Sequence, residues 1–457
     1  MKRVYLIGIG GIGMSALARY YKHAGSLVAG YDRTPGKITA ELENEGIDIH
    51  FEDNIDLIPS EIRFNTDDTL VIYTPAVPAD LKELVYFRDG GFRLVKRSLA
   101  LGEVAASKKT LAVAGTHGKT STSTLLAHIV TSSGKGCTAF LGGISKNYHT
   151  NLLLSKGEFL VAEADEFDRS FLQLWPDTAI ITSTDADHLD IYSNHKNIKE
   201  AFSEFASQIK PGGNLIIKNS LELDKSLNEG VKLYTYSFDK GGDFHAEDIK
   251  LLSGGYFSFT LVHPEGRITD CRVGIPGWVN VENGIAASAA ALLNGIDEES
   301  VKIALNSFAG VERRFDIHIN TPSIAYIDDY AHHPNEISAA ISSIRDIFPG
   351  RRLTGIFQPH LYTRTRDFAE EFAKSLDKLD ELILMDIYPA RELPIEGVNS
   401  EMILNMMSLE KRRVVKREDL LDYVSSTEPD ILITFGAGDI DRFIDPLTEM
   451  LKKRYNV

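Results

Sequence analysis

The stretch Ala114-Gly115-Thr116-His117-Gly118-Lys119-Thr120-Ser121-Thr122, entered from the apolar run Thr110-Leu111-Ala112-Val113, decides how this chain reads. Its layout is strand, glycine-rich loop, helix. Glycines let backbone N–H groups turn inward toward phosphate oxygens. A lysine adds a point charge for terminal phosphates, the next threonine offers a hydroxyl to Mg²⁺, and the start of the helix favours an anion. The usual pattern has a glycine five residues before the Gly-Lys pair. Val113 stands there, and Gly115 takes that role from a shorter loop. An ordinary glycine turn would explain Gly115 and Gly118 but not the Lys119-Thr120 pair.

Working outward, 457 residues exceed one compact core, so two or three domains are expected. A hydrophobic content of 43% and a charged content of 25% are those of a globular protein. The net charge of −16 argues against nucleic acid or an anionic membrane as the main partner. Two cysteines, Cys137 and Cys271, supply neither a disulfide framework nor a metal cluster. A reducing, cytoplasmic setting is expected. The N-terminus enters Val4-Tyr5-Leu6-Ile7-Gly8 with no signal-peptide pattern, and no run of apolar residues is long enough for membrane insertion.

Apolar runs alternate with helical patterns, which predicts an α/β protein of parallel sheets flanked by helices. Strands are expected at Val4 to Ile9, Leu27 to Tyr31 and Thr69 to Tyr73 in a first domain, 1–107, that ends at a joint near 105–109. A central domain, 108–313, holds Phe159 to Ala162, Ala179 to Thr182 and Asn214 to Lys218. It has a β-rich flank at 232–276 and an alanine-rich helix at Val281 to Leu293. A third domain, 314–457, holds Ile324 to Ile327, Leu353 to Phe357, Leu382 to Met385 and Ile431 to Thr434.

Several constellations carry chemistry. Gly8-Ile9-Gly10-Gly11-Ile12-Gly13 follows the first strand and opens a helix, and Asp32 ends the next strand. That is a dinucleotide-type fingerprint: glycines for close approach to a pyrophosphate, an acid for a ribose hydroxyl. NAD, FAD and a UDP-sugar all present a pyrophosphate, and the pattern does not choose among them. Glu163-Ala164-Asp165-Glu166-Phe167-Asp168 sits at a strand end, where one acid suits Mg²⁺, which takes one or two carboxylates with phosphate and water. Asp185-Ala186-Asp187-His188-Leu189-Asp190 follows the next strand, and its histidine could ligate a cation or orient a carboxylate. Glu312-Arg313-Arg314-Phe315 lies at the second domain junction, as a phosphoryl contact or an interdomain salt bridge. Asp328-Asp329-Tyr330-Ala331-His332-His333-Pro334 and Gln358-Pro359-His360-Leu361-Tyr362-Thr363-Arg364-Thr365-Arg366 end two successive strands, with arginines suited to carboxylate or phosphate.

Taken together, Gly115 to Thr120, Glu163 to Glu166, Asp185 to Asp190, Asn280 with Asn283, Arg313-Arg314-Phe315 and Asp328 to Pro334 stand in the order found in the Mur ligases. These are the ATP-dependent amide ligases of peptidoglycan precursor synthesis. The chain resembles that family over all three blocks, and the shortened phosphate loop is the family's own version. Gly8 to Ser15 and Asp328 to Pro334 with Gln358-Pro359-His360 resemble its alanine-adding branch. The resemblance implies three domains: a Rossmann-like one for the UDP-sugar, a central P-loop-type one for ATP, and a Rossmann-like C-terminal one that closes over the site.

It further implies ATP and Mg²⁺ as cofactors, UDP-N-acetylmuramate and L-alanine as partners, and a monomer or weak homodimer. ATP would meet Gly115, Thr116, His117, Gly118, Lys119, Thr120, Ser121, Asn280, Asn283, Arg314 and Asp329. The metal would meet Thr120, Glu166 and His188. The UDP-sugar would meet Gly10, Gly11, Gly13, Met14, Ser15, Asp32 and Thr74. Tyr330, His332, His333, His360, Arg364 and Arg366 would border the amino acid, with Lys119, Arg314 and His333 catalytic and His333 the base for the incoming amine. Two positions depart from the family pattern: Val279 stands where a histidine is common, and Phe167 where a small polar residue is usual. The readings that compete are a tripeptide-recycling ligase of the same family, a nicotinamide oxidoreductase on the first fingerprint, and a nucleotide-dependent switch.

Overall fold

Val4, Leu6 and Ile7 have no exposed surface, and neither do Leu111, Val113, Leu160 and Val161. Strands apolar on both faces belong in parallel sheets covered by helices on each side, and three such sheets form. The computed structural model describes residues 2–185, 195–223, 226–239, 241–390 and 392–457. By contact the chain divides into two compact units. One is Met1–Ile249 with Phe259–Gly274 and Val281–Ala309; the other is Lys250–Ser258 with Ile275–Asn280 and Gly310–Val457.

The first unit holds two of the sheets. β1 (Arg3–Ile7), β2 (Leu27–Tyr31), β3 (Asp48–His50), β4 (Thr69–Tyr73) and β5 (Arg93–Lys96) run parallel in the order β3-β2-β1-β4-β5. The order reverses at β1, which leaves a crevice at its C-terminal end, where ligands of open α/β sheets bind. β1 stops at Ile7, earlier than the apolar run suggests. Gly8 turns the chain with φ 84°, and the N–H groups of Gly8 and Ile9 both donate to the Tyr31 carbonyl. Helix α1 (Ile12–His23) follows. After β5 comes α5 (Arg97–Ala105), the last of five helices in this stretch.

After three intervening residues β6 (Lys109–Ala114) starts the second sheet. With β7 (Cys137–Ser145), β8 (Thr150–Leu153), β9 (Phe159–Glu163), β10 (Thr178–Ile181), β11 (Asn214–Lys218) and β12 (Lys232–Tyr236), its order is β12-β11-β10-β6-β9-β7-β8. β8 pairs antiparallel with β7, and the other pairings described are parallel. β6 is central, so the loop at its end lies between the ends of β9 and β10. The β7–β8 hairpin has little signal in the sequence, because Gly142-Gly143 interrupt its apolar alternation. A three-stranded sheet, β13 (His245–Leu251), β14 (Phe257–His263) and β15 (Gly266–Arg272), forms the flank. The alanine-rich helix runs Trp278–Leu293, starting earlier than its apolar face suggests.

The second unit holds the third sheet. β16 (Asp316–Asn320), β17 (Ala325–Asp329), β18 (Leu353–Phe357), β19 (Glu381–Leu384), β20 (Arg412–Val414) and β21 (Ile431–Phe435) take the order β16-β17-β21-β18-β19-β20. Only β16–β17 is antiparallel. Its two faces are covered by apolar side chains such as Ile327, Phe357 and Phe372 on one side and Tyr326, Ile356 and Leu447 on the other.

Candidate active site

The loop after β6 is a closed cradle. Gly115 has φ 130° and Gly118 φ 79°, conformations in the glycine region. A Cβ on Gly115 would lie 2.1 Å from Thr182 Oγ1, so no larger residue fits there without displacing the end of β10. Ser183 pins the turn: its hydroxyl pairs with Thr116 Oγ1 at 2.8 Å and accepts from the His117 N–H at 2.8 Å. The His117 ring reaches Asp185 at 3.2 Å. Helix α6 (Lys119–Ser132) begins directly after Gly118, with Thr120 buried and Ser121 partly exposed on its first turn. Asn283 stands over the loop, its Oδ1 2.9 Å from where a Gly118 Cβ would lie.

Lys119 folds back over this cradle. Its Nζ donates to the Gly115 carbonyl at 2.6 Å and lies 2.8 Å from Glu166 Oε2. Burial works against the ammonium charge, but Glu166, Asp165 and Glu163 outweigh it and hold the group protonated above the ordinary lysine range. The acids come from the end of β9 and the turn after it. Glu166 is 1% exposed, and Glu163 Oε2 is buried with no hydrogen-bond partner among the described residues. A buried carboxylate oxygen with no hydrogen-bond partner suits a hard divalent cation. Among the described residues no three acidic, histidine or cysteine side chains converge as a cage. Mg²⁺ does not need one, since it keeps water and phosphate ligands. Asp187, His188 and Asp190 lie outside the described residues.

The fingerprint after β1 forms a second glycine loop in the same unit. The Gly10 N–H donates to Asp32 Oδ2 at 2.8 Å and the Thr34 N–H to Asp32 Oδ1 at 3.1 Å. Asp32 therefore braces the loop that a ribose-binding acid would only border. Gly11 and Gly13 stand at the start of α1, and Thr74 at the end of β4 lies against Gly8. Met14 and Ser15, expected at the same loop, have 1% and 0% exposure, with their side chains in the core. Ser15 Oγ donates to the Ile12 carbonyl, and Asn151 on β8 donates to that carbonyl at 2.6 Å and to Ser15 Oγ at 2.9 Å.

In the second unit the two neighbouring arginines have separate tasks. Arg313 donates to Asp328, which has no exposed surface, at 3.1 Å and to the Gly436 carbonyl at 2.7 Å. The Arg314 guanidinium stacks 4.7 Å from the centre of the Tyr330 ring. Asp329 accepts from the N–H groups of Phe315 and Ala331, and burial pushes its carboxyl up to about 7 against the pull of Arg314. From Tyr330 a file of rings runs through His332, 5.4 Å away, to His360, 6.1 Å further, and to Tyr388, stacked 5.8 Å from His360. Arg364 is buried, with Nη1 3.4 Å from His360 Nδ1.

Three further expected residues have partners close by in the sequence. His333, the expected base, is 4% exposed and N-caps the helix Pro334–Ile347, its Nδ1 accepting from the Asn335 N–H. Arg366 is half exposed and paired with its neighbour Asp367. Asn280 donates to the Pro276 carbonyl at 2.6 Å. The sequence reading also passed over Arg97, Asn151, Ser183 and Tyr388. Tyr388 lies three residues past Met385, the end of an expected strand, and strand ends of parallel sheets are where such sites form.

Comparison with known proteins agrees with this geometry. Residues 3–109 match the Mur ligase family, catalytic domain; residues 113–291 the Mur ligase middle domain; and residues 313–438 the Mur ligase, glutamate ligase domain. The UDP-N-acetylmuramate–L-alanine ligase of Parabacteroides distasonis is 52% identical over 452 residues, which is 99% of this chain and 97% of that one. The protein of the same name from Porphyromonas gingivalis is 51% identical over 99% of both. The solved UDP-N-acetylmuramate-alanine ligase of Thermotoga maritima superposes with TM-score 0.82 at 30% identity, covering 99% of each chain. A murein peptide ligase from Psychrobacter arcticus shares the fold with TM-score 0.71 at 23% identity.

Proposed function

The chain belongs to the Mur ligase family, and from that premise we propose that it uses ATP to join L-alanine to the carboxylate of UDP-N-acetylmuramate, a step of peptidoglycan precursor synthesis. The observation that carries the reading is the pair of phosphate-type loops in one unit, Gly8 to Gly13 and Gly115 to Lys119. A nicotinamide oxidoreductase accounts for the first loop only, and a switch leaves the acids after β9 idle. Relatives half identical over the whole chain carry the alanine-ligase name, whereas the peptide ligase supports the fold alone.

The chemistry runs in two displacements. A carboxylate oxygen of the sugar nucleotide attacks the γ-phosphorus, the bond to the β–γ bridging oxygen breaks, and ADP leaves an acyl phosphate. The alanine nitrogen then attacks the acyl carbon, loses a proton, and phosphate departs. Such chemistry needs positioning and charge neutralisation more than a covalent protein group. Lys119 supplies fixed positive charge at the γ-phosphate, and the N–H groups of the Gly115–Gly118 turn and the start of α6 hold the remaining phosphate oxygens. Glu166, Glu163 and Thr120 would hold Mg²⁺, whose contribution is to offset phosphate charge. The cluster Tyr330, His332, His360 and Arg364 takes the amino-acid end, and Arg314 meets the nucleotide. The domains are 1–107 for the sugar nucleotide, 108–313 for ATP and 314–457 for the amino acid. No described helix is long and apolar enough to cross a membrane, in keeping with a cytoplasmic enzyme.

Measuring ADP release with each substrate omitted in turn tests this reading. Turnover is expected only with UDP-N-acetylmuramate and an amine together. L-Alanine is expected to outperform glycine, serine and the L-alanyl-D-glutamyl-diamino acid tripeptide. Tripeptide preference would transfer the chain to the recycling branch.

A further inference from the structure

Lys96 closes β5 and Arg97 opens α5, so two cations sit at the start of a helix. Positive side chains there oppose the helix dipole. Their placement is therefore explained by what they face. On one side they face the acids after β9: Lys96 Nζ lies 2.8 Å from Asp168 Oδ2, and Arg97 Nη2 lies 3.4 Å from Asp165 Oδ2. Asp168 is held there in left-handed backbone, with φ 54°. On the other side Arg97 faces the glycine fingerprint. A Cβ on Gly13 would lie 2.8 Å from Arg97 Nη1 and 3.3 Å from its Cδ. One guanidinium thus spans the start of α1 and the acidic loop of the ATP site, with 21% of its side chain exposed.

We propose that Arg97 is a further contact for the diphosphate of the nucleotide sugar and screens that diphosphate from Asp165. The inference rests on the reading of Gly8 to Gly13 as the sugar-nucleotide loop. A diphosphate at the start of α1 and the carboxylates of the acidic loop carry like charge across the width of one side chain, and a fixed cation between them turns that repulsion into attraction. A guanidinium suits the place better than an ammonium. It presents five donors in a planar fork, so Nη1 meets a phosphate oxygen while Nη2 keeps Asp165. The long 3.4 Å contact to Asp165 leaves the fork room to lean toward the nucleotide. Lys96 is the internal control: it sits next in sequence and pairs with the same acidic loop, whereas the three atoms nearest a Gly13 Cβ all belong to Arg97.

The test is calorimetric binding of UDP-N-acetylmuramate, and of UDP alone, to the full chain without alanine or turnover, with ATP titrated in parallel. Arg97→Ala is expected to weaken both uridine nucleotides by at least about tenfold and ATP by less than about threefold. Arg97→Lys recovers only part of the loss. Lys96→Ala stays within about threefold of wild type for every ligand. Arg97→Met, which keeps the aliphatic stem, replaces the alanine variant if that one melts early. Wild-type affinity in the Arg97 variants, or an equal loss in Lys96→Ala, overturns the inference and leaves the function intact. A wild-type chain that does not bind UDP-N-acetylmuramate overturns the function and the inference together.

Discussion

The ammonium of Lys119 lies 2.8 Å from the carboxylate of Glu166, and the same nitrogen donates to the Gly115 carbonyl. The cation we propose for a terminal phosphate is thus held by the loop on one side and by an acid from the neighbouring strand end on the other. Lys119→Ala removes it. ADP release should fall by roughly 10²–10³-fold, as for loss of one preorganised electrostatic group, while circular dichroism and melting show a folded chain. Near-normal turnover in that variant would deny the loop its role.

Gly115→Ala probes the backbone of the same cradle. The added methyl would stand 2.1 Å from Thr182 Oγ1 at a φ of 130°. The loop has to open, so ATP affinity should drop by at least about tenfold and stability by roughly 1–3 kcal/mol. Nucleotide titration and urea unfolding check the two effects separately. An alanine variant with wild-type ATP binding would show that the loop does not touch the nucleotide.

Much of this was legible in the sequence because each motif sits at the end of an apolar strand, and strand ends of parallel sheets are where such sites form. Leu27–Tyr31, Thr69–Tyr73, Asn214–Lys218 and Leu353–Phe357 form as read. The same logic located the cradle and the acids at 163–166. What escaped was tertiary. Nothing local distinguishes Arg97 from any surface arginine at a helix start. Asn151 lies in a hairpin whose glycines hide it, and its partners are 136 and 139 residues away. The His332-His333 pair looks symmetrical as text, yet capping geometry at Pro334 turns one ring into the core and leaves the other beside Tyr330.

Asn151 has no exposed surface and ties β8 to the first turn of α1, besides accepting from Arg19 at 2.6 Å. Asn151→Ala leaves the Ile12 carbonyl and Ser15 hydroxyl without that donor, and urea unfolding should show a loss of about 1–3 kcal/mol. Because α1 carries the glycine loop, the KM for the sugar nucleotide should rise more than the KM for ATP. Equal changes in both would make Asn151 a purely structural link.

His128 gives a pH signature. It is 5% exposed, bonded to Tyr148 and Ser307, and burial pushes its imidazole down to about 4. The unfolded chain takes up this proton below about 6.5, whereas the folded chain resists until about 4. The contribution to stability is therefore full above pH 6.5 and is lost as pH falls toward 4, on the order of 3 kcal/mol across the window. His128→Gln should flatten that part of the stability profile measured by urea unfolding. An unchanged slope would show that His128 titrates alike in both states.

The central claim is that ATP activates the sugar-nucleotide carboxylate as an acyl phosphate before alanine arrives. UDP-N-acetylmuramate carrying ¹⁸O in its carboxylate tests it most directly, with the released inorganic phosphate read by mass spectrometry. One labelled oxygen should pass into each phosphate, and phosphate should form only when UDP-N-acetylmuramate and L-alanine are both present. Unlabelled phosphate, or ATP turnover that continues without the sugar nucleotide, would contradict the account.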